Sequence, residues 1–170
     1  INFGGNLQII GKSAFEKSTI STVALPESLK TIGERAFLFN LRLKSITTKP
    51  GLTNSSRLVI SEWAFFVCRL LTEISLPRNV TEIGWGAFAL NPRMTSIYLG
   101  ESLVSIGKEA FACHLRAMSE GQKGCENLRE EVFPPTLREI GEAAFLAHSN
   151  LKDLKFPNSL ELIGPFAFQS

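Results

Sequence analysis

Residues 71–88 read LTEISLPRNVTEIGWGAF, and this stretch decides the fold. In its first half apolar residues alternate with polar ones, Ile74-Ser-Leu-Pro77, and the proline ends the run. Such a pattern predicts a very short β-strand followed by a turn. The second half, Ile83-Gly-x-x-Ala-Phe88, predicts a tight corner that ends on a large ring. A unit this small cannot bury its apolar face alone, so it needs copies of itself.

The copies run along the whole chain. The Ile-Gly-x-x-Ala-Phe turn or a close variant recurs seven times, at residues 10–15, 32–37, 60–65, 83–88, 106–111, 140–145 and 163–168. In the third copy Ser61 replaces the glycine. The leading isoleucines are 22, 28, 23, 23, 34 and 23 residues apart. The sequence therefore predicts a repeat of 23 residues with two insertions.

Each repeat is expected to form one coil of a solenoid. One three-residue strand per coil would pair in parallel with its neighbour, giving a ladder of seven strands. Because side chains alternate along a strand, Ile74 and Leu76 should point inward while Glu73 and Ser75 point out. Phe88 should fill one corner of the coil. The glycine after each leading isoleucine is expected to supply a tight turn or a positive φ. The presence of Ser61 at this position in the third copy favours close packing instead.

These residues carry a family resemblance. The pattern Leu71-x-x-Ile-x-Leu-Pro-x-x-Val-x-x-Ile-Gly-x-x-Ala-Phe88, in seven copies, resembles the BspA-like leucine-rich repeat family. The resemblance implies a leucine-rich repeat solenoid, an α/β-type right-handed coil of short parallel strands, turns and 3-10 or irregular segments, as a single domain over residues 1–170. It further implies a cell-surface or secreted protein that binds a protein ligand, such as a host or extracellular-matrix protein, without catalytic residues or cofactors. The chain is expected to be a fragment of a longer one, with any leader or anchor outside it.

Two places depart from the repeat, near residues 48–58 and 112–127. In the first, Arg57 occupies a position that is aliphatic elsewhere, so a surface loop with a register change is expected. After the second, Glu131 falls where Ile74 lies in its own repeat. Since a buried unpaired carboxylate is costly, we expect a bulge or slipped register at residues 130–133. Within the insertion, Leu115 and Met118 could share one side of a short helix, which would either fold back on the array or contact a partner.

Composition excludes several function classes. The 18 Lys and Arg against 16 Asp and Glu leave a net charge of +2 and form no basic run, so nucleic acid is not expected as a partner. No apolar stretch approaches the roughly 20 residues of a membrane-spanning helix. His114 and His148 follow the repeat Phe at the same spacing as Asn40 and Asn91, which indicates a structural polar column and no metal or catalytic site.

Three cysteines remain to be placed. Cys68 lies in the same polar column and is expected to be a buried free thiol. Cys113 and Cys125 bracket the second insertion, and two interpretations stay open: a disulfide that closes the loop, or two unpaired thiols.

The outward positions of the strands are the candidate ligand-binding residues. They are Ser45, Thr47, Glu73, Ser75, Ser96, Tyr98, Asp153 and Lys155. Tyr98, the single tyrosine, is either a binding anchor or simply an exposed strand former. The expected function is a protein-binding or adhesion module. The alternative is an architectural spacer that projects another domain from the cell surface.

Overall fold

The computed structural model describes residues 1–49, 56–113 and 125–170. They form a parallel β-solenoid, which confirms the predicted fold class. Each complete coil carries two strands instead of the predicted one, so the molecule has two ladders. The described residues contain turns and strands but no α- or 3-10 helix. None of them therefore belongs to a helix with the length and hydropathy needed to cross a bilayer.

The first ladder, which we call the back ladder, is formed by the Ile-Gly turns themselves. Its seven parallel strands pair in the order in which they follow along the chain. They are β1 (Ile9–Ile10), β3 (Thr31–Ile32), β5 (Leu58–Ile60), β7 (Val80–Ile83), β9 (Ser105–Ile106), β11 (Glu139–Ile140) and β13 (Leu162–Ile163).

The second ladder, the front ladder, contains the strands predicted from the alternating pattern. It consists of β2 (Thr22–Pro26), β4 (Ser45–Lys49), β6 (Glu73–Ser75) and β8 (Ser96–Tyr98), and separately of β10 (Glu130–Val132) and β12 (Asp153–Lys155). The first four strands form one sheet and the last two another. In the first coil a single bridge joins Asn2 to Ala24. The prediction of one continuous seven-stranded ladder is therefore wrong, because the ladder is divided between β8 and β10.

A column of phenylalanine rings forms the centre of the core. Neighbouring rings lie 4.8 to 5.3 Å apart between centroids, with planes within 12° of parallel. The stacked rings belong to Phe15, Phe37, Phe65, Phe88, Phe111, Phe145 and Phe168. Phe88 is fully buried, as are Ala87 and Leu76, and Ile74 is 2% exposed. The predicted inward set is confirmed, and of the predicted outward pair Glu73 is exposed and Ser75 half-buried.

After the first coil, the corner glycines act through close packing and not through positive φ. A Cβ atom built on Gly84 would lie 2.9 Å from the backbone nitrogen of Glu62 in the preceding coil. Positive φ instead recurs three residues after each leading isoleucine. The residues concerned are Ser13, Arg35, Trp63, Gly86, Glu109, Ala143 and Phe166. Their side chains share no chemical type, so the pattern left no signal in the sequence.

Of the predictions made for the two departures from the repeat, one is confirmed and one is wrong. At the first, Leu58 pairs with Val80 but the next residue, Val59, pairs with Glu82, so the register shifts by one residue between them. Arg57 is exposed. The expected register change is confirmed. At the second, Glu131 pairs with Leu154 without any shift, so the bulge predicted within this strand is wrong. The irregularity lies between the coils, where the front ladder divides. His114, Leu115 and Met118, with the predicted short helix, lie outside the described residues.

Candidate functional site

The front ladder brings most of the candidate binding residues onto one surface. Ser45, Glu73 and Ser96 pair in register across β4, β6 and β8, and Ser75 pairs with Tyr98. Thr47 lies on the same sheet and is exposed, with its hydroxyl 3.4 Å from the carbonyl oxygen of Val23. These six residues therefore form a single surface, as the strand register requires.

Asp153 and Lys155 lie on the second part of the front ladder. Both are exposed on β12, and Lys155 pairs with Val132 of β10. The division of the ladder separates them from the other six residues. Only Lys155 approaches that group, because its side chain lines a groove at the division.

This groove, which we call the front groove, lies on the front ladder where the ladder divides. It has a volume of about 690 Å³ and runs between the β8 segment and the segment after β10. Its lining combines apolar and polar side chains, among them Tyr98, Glu101, Val132, Phe133, Pro134 and Lys155. Val132 is 62% exposed and Tyr98 is 44% exposed. One exposed aromatic and one exposed aliphatic side chain therefore line the same groove.

The strands explain why Tyr98 and Val132 point outward. Tyr98 follows the inward Ile97 on β8, so alternation turns its ring away from the core. Val132 holds the equivalent outward position on β10, as its pairing with Lys155 shows. Their exposure on the same side is therefore a direct result of strand register.

Tyr98 is held in place by a neighbouring carboxylate. Its hydroxyl donates a hydrogen bond to Oε1 of Glu101 at 3.3 Å, and Nε of Arg78 lies 3.6 Å from the same oxygen. Partial burial, followed by the negative charge of Glu101, raises the pKa of Tyr98. The phenol therefore remains a neutral hydrogen-bond donor at physiological pH.

The polar column three residues after each repeat Phe serves the scaffold. Nδ2 of Asn40 donates to the carbonyl oxygens of Phe15 and Phe37 at 2.7 and 2.8 Å. Nδ2 of Asn91 makes the same pair of bonds to Phe65 and Phe88 at 3.1 and 2.7 Å. Each amide thus joins two successive coils inside the core, where an unpaired carbonyl would be costly.

His148 and Cys68 occupy the same column. Nε2 of His148 lies 2.8 Å from the carbonyl oxygen of Phe111, and burial lowers the pKa of this histidine. The Cys68 thiol lies 3.5 Å from the carbonyl oxygen of Phe37, and burial raises its pKa to about 12. A thiol with this pKa is not a nucleophile at neutral pH.

One group of side chains has the composition of a metal site. The sulfur atoms of Cys113 and Cys125 and a ring nitrogen of His148 lie within 4.8 Å of one another, and all three residues are buried. In the structure, however, the two cysteines form a disulfide with Cα atoms 5.6 Å apart. A disulfide offers no thiolate to a metal ion, and Nε2 of His148 already contacts Phe111. The group therefore fits a covalent closure of the second insertion better than a metal centre.

The two ladders, the phenylalanine column and the polar column together define a leucine-rich repeat solenoid. The sequence matches the BspA type leucine rich repeat region, in six copies, over residues 1–117 and 119–170. The chain belongs to this family. The family and its fold are generally non-enzymatic.

Solved structures show the same architecture. A leucine-rich repeat protein from Bacteroides ovatus superposes with a TM-score of 0.74 at 28% identity, over 98% of this chain and 39% of its own. A leucine-rich repeat protein from T. pallidum gives 0.73 at 24% identity, over 93% of this chain and 70% of its own. A leucine-rich cell surface protein from Faecalibacterium prausnitzii gives 0.60 at 20% identity, over 98% of this chain and 49% of its own.

The chain thus spans well under half of the Bacteroides protein and about half of the Faecalibacterium protein. No curated protein sequence matches it significantly.

Proposed function

We propose that this chain is a surface-exposed or secreted protein-binding module that uses its front ladder, and in particular the front groove, to bind a protein ligand. The observation that carries the proposal is the exposed ring of Tyr98 beside a groove of about 690 Å³. Membership of the BspA-type family and the likeness to a named cell surface protein support the location.

The chemistry of the front ladder favours a protein over a small molecule. Its outward side chains are short and mixed, with Glu73 and Lys155 of opposite charge. Small-molecule sites usually enclose most of their ligand, whereas this surface is a strip of strands with one open groove. A partner loop could place an apolar side chain against Val132 while the strip contacts the rest of it.

Tyr98 is the residue best suited to anchor such a contact. Its hydrogen bond to Glu101 limits the motion of the ring before binding, so less side-chain entropy is lost when a partner arrives. Tyrosine is enriched among the residues that dominate binding energy at interfaces. The ring lines the front groove together with Val132 and Lys155.

A binding screen against host and extracellular-matrix proteins tests the proposal. For any ligand found, Tyr98→Ala should weaken binding by about tenfold or more, and Glu73→Ala should weaken it to a smaller extent. Tyr98→Phe keeps the ring and should retain most of the affinity. Glu139→Ala is the control, because Glu139 is also an exposed glutamate but lies on strand β11 of the back ladder.

Three outcomes would count against the proposal. A ligand whose affinity is unchanged by Tyr98→Ala and Glu73→Ala binds elsewhere on the molecule. If the screen finds no ligand, the result favours the alternative, an architectural spacer that projects another domain. A full-length protein without any export signal would remove the surface location as well.

A further inference from the structure

A second groove lies on the opposite ladder, far from the candidate residues named so far. It has a volume of about 580 Å³ and runs along the back ladder across successive coils. One wall is formed by the residues that precede the leading isoleucines and point outward from the back strands. The other wall is formed by the residues that follow the corner positions. The side chains that matter here are Val59, Glu82 and Ser105 on the first wall and Glu34, Glu62 and Trp85 on the second. We call it the back trough.

The floor of the back trough consists of backbone. Ile60, Ser61, Ile83 and Gly84 line it at the corner of two coils. A Cβ atom at Gly84 would lie 2.9 Å from the backbone of Ser61, so the two corners are in direct contact. Because Gly84 has no side chain and Ser61 has a small one, the corner stays low between the two walls.

The charges along the second wall follow a pattern with one gap. Lys12 pairs with Glu34 at 2.8 Å, and Lys108 pairs with Glu142 at 3.2 Å. Between these two pairs the same positions hold Glu62 and, in the next coil, Trp85. A lysine in place of Trp85 would pair with Glu62 and complete a third pair. Hydrogen bonding and charge from Lys12 lower the pKa of Glu34, as expected for a satisfied carboxylate.

Two carboxylates in the trough have no such partner. Glu62 and Glu82 are exposed, and neither makes an ion pair with any residue that the structure describes. The nearby Arg35 lies at the Glu34 end of the trough, with Nε 3.5 Å from Glu34 and its guanidinium 5.4 Å from the ring centre of Trp63. Among the described residues, no cation therefore pairs with Glu62 or Glu82 in the middle of the trough.

The indole of Trp85 is presented as a fixed platform beside these carboxylates. Its Nε1 donates to Oε2 of Glu109 at 3.1 Å, and its ring lies 4.8 Å from that of Trp63. These two contacts set the orientation of the ring, yet 41% of the residue remains exposed. An exposed indole next to unpaired carboxylates is well suited to a cationic side chain, which gains from the aromatic face and from both charges.

We propose that the back trough binds an extended segment of a partner protein through a lysine or arginine side chain seated on Trp85 between Glu62 and Glu82. The partner's extended main chain lies along the trough. Its cationic side chain pairs with Glu62, as lysine does with glutamate in the other two pairs of the wall. A basic side chain, and not an acidic or apolar one, is required because the trough already holds two uncompensated negative charges. This site is separate from the front groove and does not depend on the function proposed for it.

A fluorescence experiment on the intact chain tests the proposal directly. Trp63→Phe keeps an aromatic ring against Trp85 and the hydrogen bond to Glu109, and it leaves Trp85 as the only tryptophan, so its emission reports on the trough. The probe is a short capped peptide in which lysine alternates with serine, and the reference peptide has glutamine at every lysine position. The lysine peptide should change the Trp85 emission in a saturable way, and about 0.3 M salt should weaken its binding. The glutamine peptide should leave the emission unchanged.

Substitutions then assign the site. Glu62→Gln with Glu82→Gln should weaken binding of the lysine peptide by about tenfold, measured by polarisation of a labelled probe. Glu126→Gln removes the same charge from an exposed residue that lines neither groove and should change affinity by less than about twofold. Trp85→Phe should weaken binding to an intermediate degree, since the smaller ring is a poorer cation platform.

Several results would overturn the proposal. These are no saturable emission change up to about 1 mM peptide, equal binding of the glutamine peptide, or an equal effect of Glu126→Gln. Binding of Ca²⁺ that depends on Glu62 and Glu82 but not on Trp85 would assign the trough to a metal ion instead. The three glutamate sites are exposed, so circular dichroism is expected to show unchanged folding and every outcome is interpretable.

Discussion

Each interior phenylalanine of the core column stacks on the ring of the coil before and of the coil after. Phe88 lies 5.0 Å from Phe65 and 5.2 Å from Phe111. Its removal would leave a cavity that two coils share, and the rigid ladders on either side limit any collapse. A single residue thus contributes to the stability of three coils.

Phe88→Ala should lower the free energy of unfolding by about 3–5 kcal/mol. Urea denaturation followed by circular dichroism measures this change. Ser75→Ala, on the outer side of the same coil, should stay within about 0.5 kcal/mol. If the two variants unfold at the same denaturant concentration as the parent, the ring column does not support the fold.

His148 makes stability depend on pH. It is 4% exposed, Nε2 contacts the carbonyl oxygen of Phe111, and Nδ1 has no hydrogen-bond partner among the described residues. Burial lowers its pKa below the ordinary value of 6.5 in the folded state, whereas the unfolded chain keeps that value. The unfolded state therefore binds the proton more readily, and stability falls as the pH drops below 6.5 toward the folded pKa.

His148→Asn should remove this component. Asparagine occupies the same column at residues 40 and 91, so the substitution fits the local geometry. The unfolding midpoint of the parent should decrease between pH 7.5 and pH 5, and the variant should lose less over the same interval. Equal pH dependence in both proteins would show that His148 does not titrate on unfolding.

At the scale of the strands, the corner glycine determines how closely successive coils approach. Gly84→Ala places a methyl group 2.9 Å from backbone atoms of residues 61 and 62, and backbone cannot move aside easily. We expect a loss of about 1–3 kcal/mol from this overpacking. Gly11→Ala is the matched control, because no atom lies within 4 Å of the added carbon and the change should be neutral or slightly stabilising. Thermal unfolding of both variants distinguishes the two corners, and a harmless Gly84→Ala would contradict the close-packing explanation.

The front strands could be predicted from the sequence, whereas the back strands could not. Ile74 and Leu76 flank a polar residue and precede a proline, which is a strand pattern even over three residues. Ile83 and its equivalents end strands as short as two residues, too short to show alternation. The neighbouring coil creates those strands by offering a paired edge, and a single repeat does not reveal that edge.

The candidate sites were predictable to different degrees. The exposure of Tyr98 follows from its outward position, but the groove beside it exists because the ladder divides between β8 and β10. That division depends on the path of the chain after the second insertion, which residue patterns do not specify. The back trough could have been found by aligning the residues after each corner glycine, since Glu62 and Trp85 there interrupt a series of Lys–Glu pairs.

At the scale of the whole molecule, the second insertion divides the front ladder but leaves the back ladder intact. β9 and β11 pair in register across it, and Phe111 stacks on Phe145 at 5.1 Å. The Cα atoms of Cys113 and Cys125 are only 5.6 Å apart, so the insertion leaves and rejoins the coil at nearly the same point.

Replacing residues 114–124 with Gly-Ser should therefore preserve a single cooperative unfolding transition. Two residues suffice to span a gap of 5.6 Å. Differential scanning calorimetry would show one transition near that of the parent. Loss of cooperative folding would mean that the insertion, with Leu115 and Met118, is part of the core and not a recognition loop.

Because each strand of the back ladder pairs only with the strands of adjacent coils, a pulling force along the solenoid axis is carried by the coils in series. The terminal coil can detach while the others remain stacked, and 23 extended residues release about 80 Å of chain. A force–extension record should therefore show successive steps of this length, not one abrupt rupture. A protein that holds a partner on the front ladder under flow would in this way lengthen by one coil at a time and limit the load on the bond.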